Sequence, residues 1–152
     1  MLLELVDKCC CNRRTKPLLS LHDEQRAMYG FADDPADTPA SQFDPPRGLF
    51  LLVHNEEGHA LGCGGWRLLD TQTAEIKRMY VRPEARAQSL GRKILLRLEA
   101  DAKLGGATAT QLETGVANTR ALALYRAQGY VPITSYRPDR NPAVNRALRK
   151  EL

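Results

Sequence analysis

A strand, a short loop and an amphipathic helix follow one another in residues 74–104, and this order constrains the fold more than any other stretch. Residues 74–81 are rich in side chains that suit a half-buried strand. Pro83 lacks a backbone N–H group and ends the strand. Gly105 and Gly106 end the helix. The helix has the apolar spacing of one buried face, at Leu90, Ile94, Leu95 and Leu98.

The loop between this strand and this helix has the properties of an anion-binding site. The first N–H groups of a helix have no partner within the helix, and the helix dipole adds partial positive charge at the same end. Arg86, Arg92 and Lys93 add formal positive charge around the loop. The sequence therefore predicts that this loop binds a phosphate or a pyrophosphate.

Basic side chains concentrate around the predicted phosphate loop. The chain of 152 residues has a net charge of +4, whereas residues 77–103 hold eight basic and three acidic side chains, a local excess of +5. Residues 22–47 have the opposite balance, with six acidic and two basic side chains. This distribution favours a phosphorylated ligand. A nucleic-acid-binding sheet would interleave aromatic and basic side chains, but Tyr80 and Trp66 are the aromatic residues near the relevant strands.

The remaining sequence alternates between helical and strand patterns. Residues 31–47 are rich in proline and aspartate and are predicted to form a long loop. Residues 1–6 and 141–152 leave strand and helix open as alternatives. Strands that alternate with helices predict a mixed α/β sheet covered by helices, in a single domain spanning residues 1–152. The predicted helices are 17–29 and 118–128, and the predicted strands are 48–54, 60–69, 108–115 and 129–136.

The chain lacks the signals of membrane insertion and secretion. No apolar run reaches the roughly 20 residues that a membrane-spanning helix needs, and residues 1–6 are too short for a secretory segment. We therefore expect a cytoplasmic protein. Three of the four cysteines are consecutive, at 9–11, which favours reduced thiols over a disulfide framework. No ligand pairs with zinc spacing occur in the sequence, so no metal is predicted.

A second motif follows the central strand and helix. Residues 118–130, NTRALALYRAQGY, resemble the Asn-x-x-Ala-x-x-Leu-Tyr-x-x-x-Gly-(Phe/Tyr) motif of the GNAT family of N-acetyltransferases at every defined position. Residues 86–91 resemble the (Gln/Arg)-x-x-Gly-x-(Gly/Ala) loop of the same family. Ala87 and Ser89 stand where glycine is commonest in that loop. The two motifs place the resemblance over about residues 48–136.

The resemblance implies a mostly antiparallel central sheet whose middle strands splay apart, flanked by helices, and acetyl-CoA as the cosubstrate. In this family the loop at residues 86–91 holds the pyrophosphate of acetyl-CoA. Backbone amides of the preceding strand hold the pantetheine and polarise the thioester carbonyl. The implied cofactor-binding residues are Met79, Tyr80, Val81, Arg86, Ala87, Gln88, Ser89, Leu90, Gly91, Arg92 and Asn118.

Two side chains are implied to transfer protons. Acetyl transfer to an amine requires a proton acceptor for the amine and a proton donor for the departing thiolate. The resemblance implies Tyr125 as the donor, and the alternative is a buried structural tyrosine. Glu75 is the implied base, acting directly or through water, with Glu113 as the rival. Alternatively, Glu75 is a structural carboxylate paired with Lys77 or Arg78.

The acceptor is expected to be the primary amine of a small molecule, with two alternatives left open. One alternative is the amino terminus or a lysine of a protein, and the other is a CoA-binding module without catalysis. The acidic stretch 22–47 is expected on the acceptor side, where it would steer a cationic amine through Asp33, Asp34 and Asp37. The alternative is that these residues form a solvated acidic loop. Nucleic acid and membrane are not expected partners, and a homodimer is left open.

Overall fold

Seven strands and three α-helices alternate along residues 2–5, 15–29 and 38–152, which are the parts of the chain that the computed structural model describes. Short 3-10 helices lie at Ala40–Phe43 and Pro83–Gln88. The helices are α1 (Thr15–Tyr29), α2 (Leu90–Leu104) and α3 (Thr119–Ala127). The strands are β1 (Leu2–Leu5), β2 (Gly48–His54), β3 (Ala60–Leu68), β4 (Thr73–Val81), β5 (Ala109–Gly115), β6 (Val131–Ile133) and β7 (Asn145–Glu151).

One sheet contains all seven of these strands in the order β1-β2-β3-β4-β5-β7-β6. The β4–β5 pair is parallel because α2 carries the chain back across the sheet, and the other described pairs are antiparallel. Within the described residues, β4 and β5 pair from Thr73↔Ala109 to Glu75↔Gln111 and then diverge. The predicted fold class, a mostly antiparallel sheet with splayed middle strands, is confirmed.

The two faces of the sheet pack against different helices, because neighbouring side chains of a strand point to opposite faces. On one face, Leu51 packs with Trp66 and with Ile94 and Leu98 of α2, all at most 1% exposed. On the other face, Leu52 packs in a second apolar cluster that includes Leu21 of α1. Burial of each such side chain contributes roughly 1.5–3 kcal/mol to folding. None of the described helices is long and apolar enough to cross a membrane.

The ends of the chain resolve two alternatives that the sequence left open. Residues 2–5 form a strand that pairs with β2, from Leu2↔His54 to Leu5↔Leu51. The tail also forms a strand, β7, which lies between β5 and β6. The strand predicted at 129–136 is shorter than expected, because β6 covers only Val131–Ile133 and the chain then bends away. Residues 30–37, which include the first seven residues of the predicted loop, lie outside the described residues.

Candidate active site

A β-bulge interrupts β4 where this strand leaves β5. Gly65 pairs with Lys77 and Cys63 pairs with Tyr80, so two residues of β4 oppose one residue of β3. Arg78 in this bulge has a φ of +56°. An L-residue in that left-handed region is strained by roughly 1–2 kcal/mol. The surrounding contacts must therefore hold the bulge in place.

Side chains from β3 and α1 hold the two carbonyl groups of the bulge. The Cys63 thiol donates to the Arg78 carbonyl oxygen at 3.2 Å, and Gln25 Nε2 of α1 donates to the Met79 carbonyl oxygen at 3.2 Å. Burial raises the pKa of Cys63 to about 12, so its thiol stays protonated as a donor. The backbone of β4 is thus fixed from both sides at the point where the sheet opens.

A cavity of about 350 Å³, here called the loop cavity, lies between the end of β4, the start of α2 and α3. Two of the predicted cofactor-binding residues do not line this cavity. The side chain of Leu90 lies in the core, at 0% exposed, and the side chain of Gln88 is exposed to solvent. The side chain of Ala87 lies outside the described structure. The predicted cofactor-binding residues that line the cavity are Met79, Tyr80, Val81, Arg86, Ser89, Gly91, Arg92 and Asn118.

The turn at the mouth of the loop cavity is fastened to β4. Arg86 Nε donates to the Val81 carbonyl oxygen at 2.9 Å, and its guanidinium lies 5.9 Å from the centre of the Tyr80 ring. Ser89 has a φ of +55° and is the N-cap of α2. Serine thus adopts the left-handed conformation in which glycine would be unstrained. Arg120 of α3 adds a cationic group to the lining that the sequence motifs did not indicate.

Helix α3 places Tyr125 between two cavities. Asn118 Oδ1 accepts a hydrogen bond from the Ala121 N–H group at 3.2 Å and caps the helix, and Gly129 ends it with a φ of +89°. Tyr125 is 5% exposed, and its ring centre lies 5.5 Å from that of Tyr130. Burial raises the pKa of Tyr125 well above that of a free tyrosine, so its hydroxyl keeps its proton at neutral pH.

A second cavity, here called the wedge cavity, occupies about 70 Å³ in the gap between β4 and β5. Met79, Asn118 and Tyr125 line both cavities, so the two adjoin each other. The charged residues among the described lining are Glu75, Lys77, Arg78, Glu113, Arg137 and Arg140. His22 and Gln25 of α1 line the same cavity.

Glu75 is 2% exposed and is held by three side chains. An Arg67 guanidinium nitrogen lies 2.7 Å from Glu75 Oε2, and the Tyr136 hydroxyl donates to Oε1 at 2.9 Å. Lys77 Nζ lies 3.8 Å from Oε1. The sequence suggested Lys77 or Arg78 as the partner of Glu75. Lys77 is the more distant of its cationic partners, whereas Arg78 donates to the Thr38 carbonyl oxygen. Both carboxylate oxygens of Glu75 already have partners.

Glu113, the rival base, lies on β5 and is held by the segment that follows β6. Arg140 Nε lies 3.2 Å from Glu113 Oε2, and the Ser135 hydroxyl donates to the other oxygen. Arg137 and Arg140 have no signal in the sequence, because no local pattern shows that this segment folds back over β5. The predicted steering residues Asp33, Asp34 and Asp37 lie outside the described residues. In residues 21–28 and 38–152, no cluster of three or more metal-ligating side chains is present.

Comparisons with known proteins find similar sequences and similar folds. A protein from Azospirillum brasilense named IAA acetyltransferase is 42% identical over 94 residues, which are 59% of this chain and 61% of that protein. The chain therefore spans about three fifths of that relative. The solved structure of an acetyltransferase from Streptococcus agalactiae has a TM-score of 0.82 and 22% identity, covering 99% of this chain and 98% of that one.

A second solved structure has the same fold. It is a GNAT family acetyltransferase from Elizabethkingia anophelis with acetyl-CoA bound, with a TM-score of 0.66 and 18% identity over 99% of this chain and 97% of that one. The sequence model of the acetyltransferase (GNAT) family matches residues 18–130, which include both motifs. This chain belongs to the GNAT family of acetyltransferases.

Proposed function

We propose that this protein is an acetyl-CoA-dependent N-acetyltransferase that acetylates the primary amine of a small molecule. The observation that carries the proposal is the position of Tyr125, which lines both cavities from α3. A hydroxyl at this junction reaches a thioester bound in the loop cavity and an amine bound in the wedge cavity. We place the reaction in the cytoplasm, because the three consecutive cysteines at 9–11 favour reduced thiols.

The charge of the loop cavity suits the phosphate groups of acetyl-CoA. Arg86, Arg92 and Arg120 line it and would bind the phosphate groups. Its volume of about 350 Å³ falls within the range of small-molecule sites. The Ser89 side chain makes no capping hydrogen bond in the described structure, so its hydroxyl does not compete for the first N–H groups of α2. The bound acetyl-CoA of the Elizabethkingia structure supports the same choice of ligand.

In the proposed reaction the amine nitrogen attacks the thioester carbonyl carbon, so that a C–N bond forms and the C–S bond breaks. Backbone N–H groups at Met79 and Val81 stabilise the carbonyl oxygen as it gains negative charge. Tyr125 donates its proton to the departing thiolate and is reprotonated from solvent after the products leave. Because burial raises the pKa of Tyr125, the hydroxyl is protonated at neutral pH when the thiolate forms.

Glu75 accepts the proton of the amine through a water molecule in this proposal. The Tyr136 hydroxyl and the Arg67 guanidinium already contact its two oxygens and crowd the approach of a whole acceptor molecule. Each carboxylate oxygen has a second lone pair, so a smaller water molecule can donate to Glu75 and bridge it to the amine. Glu113 stays the rival base, because it lines the same cavity and, like Glu75, is held by an arginine and a hydroxyl group.

A small acceptor is supported by the size of the wedge cavity and by one relative. The cavity of about 70 Å³ has room for a short amine. The Azospirillum relative is named for a small-molecule activity. The alternatives are acetylation of a protein amino terminus or lysine, and acetyl-CoA binding without catalysis.

The test combines acetyl-CoA binding with turnover of an amine panel. We expect acetyl-CoA to raise the melting temperature of the protein, and small amines to release CoA from it. The Tyr125→Phe variant should retain this thermal shift and lose at least about 100-fold in kcat. A wild-type protein that acetyl-CoA does not stabilise would overturn the proposal. Turnover of peptide amines alone would favour the protein acceptor, and unchanged turnover in Tyr125→Phe would remove the assigned role.

Tyr130→Phe is the matched control for the loss of a buried hydroxyl. The Tyr130 hydroxyl hydrogen-bonds with Thr110 Oγ1 at 2.8 Å and donates to Glu99 Oε1 at 3.0 Å, away from both cavities. We expect this variant to lose about 1–3 kcal/mol of stability, because it leaves buried polar groups without a partner. Its turnover should stay within about twofold of wild type. The two variants thus separate loss of chemistry from loss of stability.

A further inference from the structure

Cationic side chains outnumber carboxylates on the described wall of the wedge cavity. Two carboxylates and four cationic groups line it: Glu75, Glu113, Lys77, Arg78, Arg137 and Arg140. An arginine lies within 3.2 Å of each carboxylate, because Arg67 pairs with Glu75 from β3 and Arg140 pairs with Glu113. The described lining therefore carries two more positive than negative charges, which favours an anionic group on a ligand in this cavity.

Arg137 is the cationic group best placed to bind a ligand. Its Nε atom lies 3.8 Å from Oδ1 of Asp139, whose side chain is 69% exposed. An exposed pair at this distance contributes little free energy, so an incoming carboxylate can replace Asp139 at low cost. The Arg137 side chain is only 24% exposed, which strengthens its interaction with a ligand relative to a fully solvated arginine. Its planar guanidinium matches the two oxygens of a carboxylate.

We propose that the acceptor carries a carboxylate beside its amine, as an amino acid does, and that Arg137 binds this carboxylate while the amine faces Tyr125. The inference rests on the function proposed above and specifies its substrate class. The positive wall also disfavours the ammonium form of the bound acceptor and so promotes the neutral amine that attacks. This acceptor has the opposite charge to the cationic amine that the acidic stretch 22–47 suggested.

Matched triplets of acceptors test the inference. Each triplet contains an α-amino acid, its carboxamide and the amine that lacks the carboxyl group, with glycine, alanine and serine as the parent compounds. Values of kcat/KM are measured for wild type, Arg137→Gln and Arg137→Lys. The control is Arg126→Gln, which removes a cationic group from an exposed position of α3 that lines neither cavity.

In at least one triplet we expect the wild type to prefer the amino acid over its carboxamide by at least about tenfold. Arg137→Gln should reduce this preference to about twofold or less, while the rate with the carboxamide stays unchanged. Arg137→Lys should retain part of the preference for the amino acid, and Arg126→Gln should retain all of that preference. Equal rates for acid and carboxamide in wild type, or acetyl-CoA binding without turnover of any amino acid, would overturn the inference. Acetylation of carboxamides or simple amines would in that case leave the proposed function intact, whereas failure to bind acetyl-CoA would refute the function itself.

Discussion

The buried thiol of Cys63 makes the stability of this protein sensitive to alkaline pH. Burial raises the pKa of Cys63 from 9.0 to about 12 in the folded state. In the unfolded chain the thiol ionises near its ordinary value, so between these two pH values the folded state holds more protons than the unfolded state. The free energy of unfolding therefore falls as pH rises, by about 1.4 kcal/mol per pH unit and by about 4 kcal/mol over the full shift. This contribution is fully present below pH 9.

Urea denaturation of wild type and Cys63→Ser at about pH 8 and about pH 10.5 measures this effect. Serine can donate to the same Arg78 carbonyl oxygen but does not ionise in this range, and every other titrating group is common to both proteins. We expect wild type to lose about 2 kcal/mol more than the variant between these pH values. Equal losses in the two proteins would refute the reasoning, because they would mean that the thiol ionises alike in the folded and unfolded chains.

Three further predictions concern stability measured by chemical denaturation. Ser89→Gly should stabilise the protein by about 1 kcal/mol, because Ser89 has a φ of +55°. The control Ser41→Gly should destabilise it by about 0.5–1 kcal/mol, because Ser41 does not have a positive φ. Similar effects of the two substitutions would contradict strain at Ser89. Gly48→Ala should cost at least about 2 kcal/mol, because its Cβ would lie 2.5–2.8 Å from backbone atoms of the 3-10 helix before β2, and wild-type stability would count against it. Arg67→Met should lower the free energy of unfolding by about 3 kcal/mol, because it removes the closest cation of Glu75. The double variant Arg67→Met/Glu75→Gln should regain most of this stability, because it also removes the negative charge. A double variant no more stable than Arg67→Met would disprove the buried pair.

The sequence predicted the elements whose boundaries depend on local chemistry. Strand β2 begins at Gly48 and ends at His54 as predicted, because a continuous apolar run is followed by a turn. Helix α3 covers Thr119–Ala127, close to the predicted range 118–128, because Asn118 caps its start and Gly129 follows its end in the left-handed conformation. These features are fixed by residues close together in the chain, so a single sequence is sufficient to find them.

The sequence did not predict the features that depend on pairing between distant segments. The bulge at Arg78 has no sequence signal, since arginine does not favour positive φ. Arg137 and Arg140 reach the wedge cavity because the chain bends away after β6, which local propensity does not encode. The ion pair of Arg67 and Glu75 could have been predicted from the sequence, because these residues face each other across the β3–β4 hairpin. The catalytic roles of Tyr125 and Glu75 and the single-domain organisation stay predictions.

The position of β7 has a consequence for how the chain folds during synthesis. This strand follows β5 and β6 in the sequence but lies between them in the sheet. Until residues 145–151 have left the ribosome, β6 lacks its described neighbour and β5 presents an open backbone edge to solvent. We therefore expect nascent chains stalled before residue 145 to be protease-sensitive and prone to aggregate, and protection to appear only once β7 has emerged. Stalled chains that resist protease without this strand would show that the rest of the sheet is stable on its own.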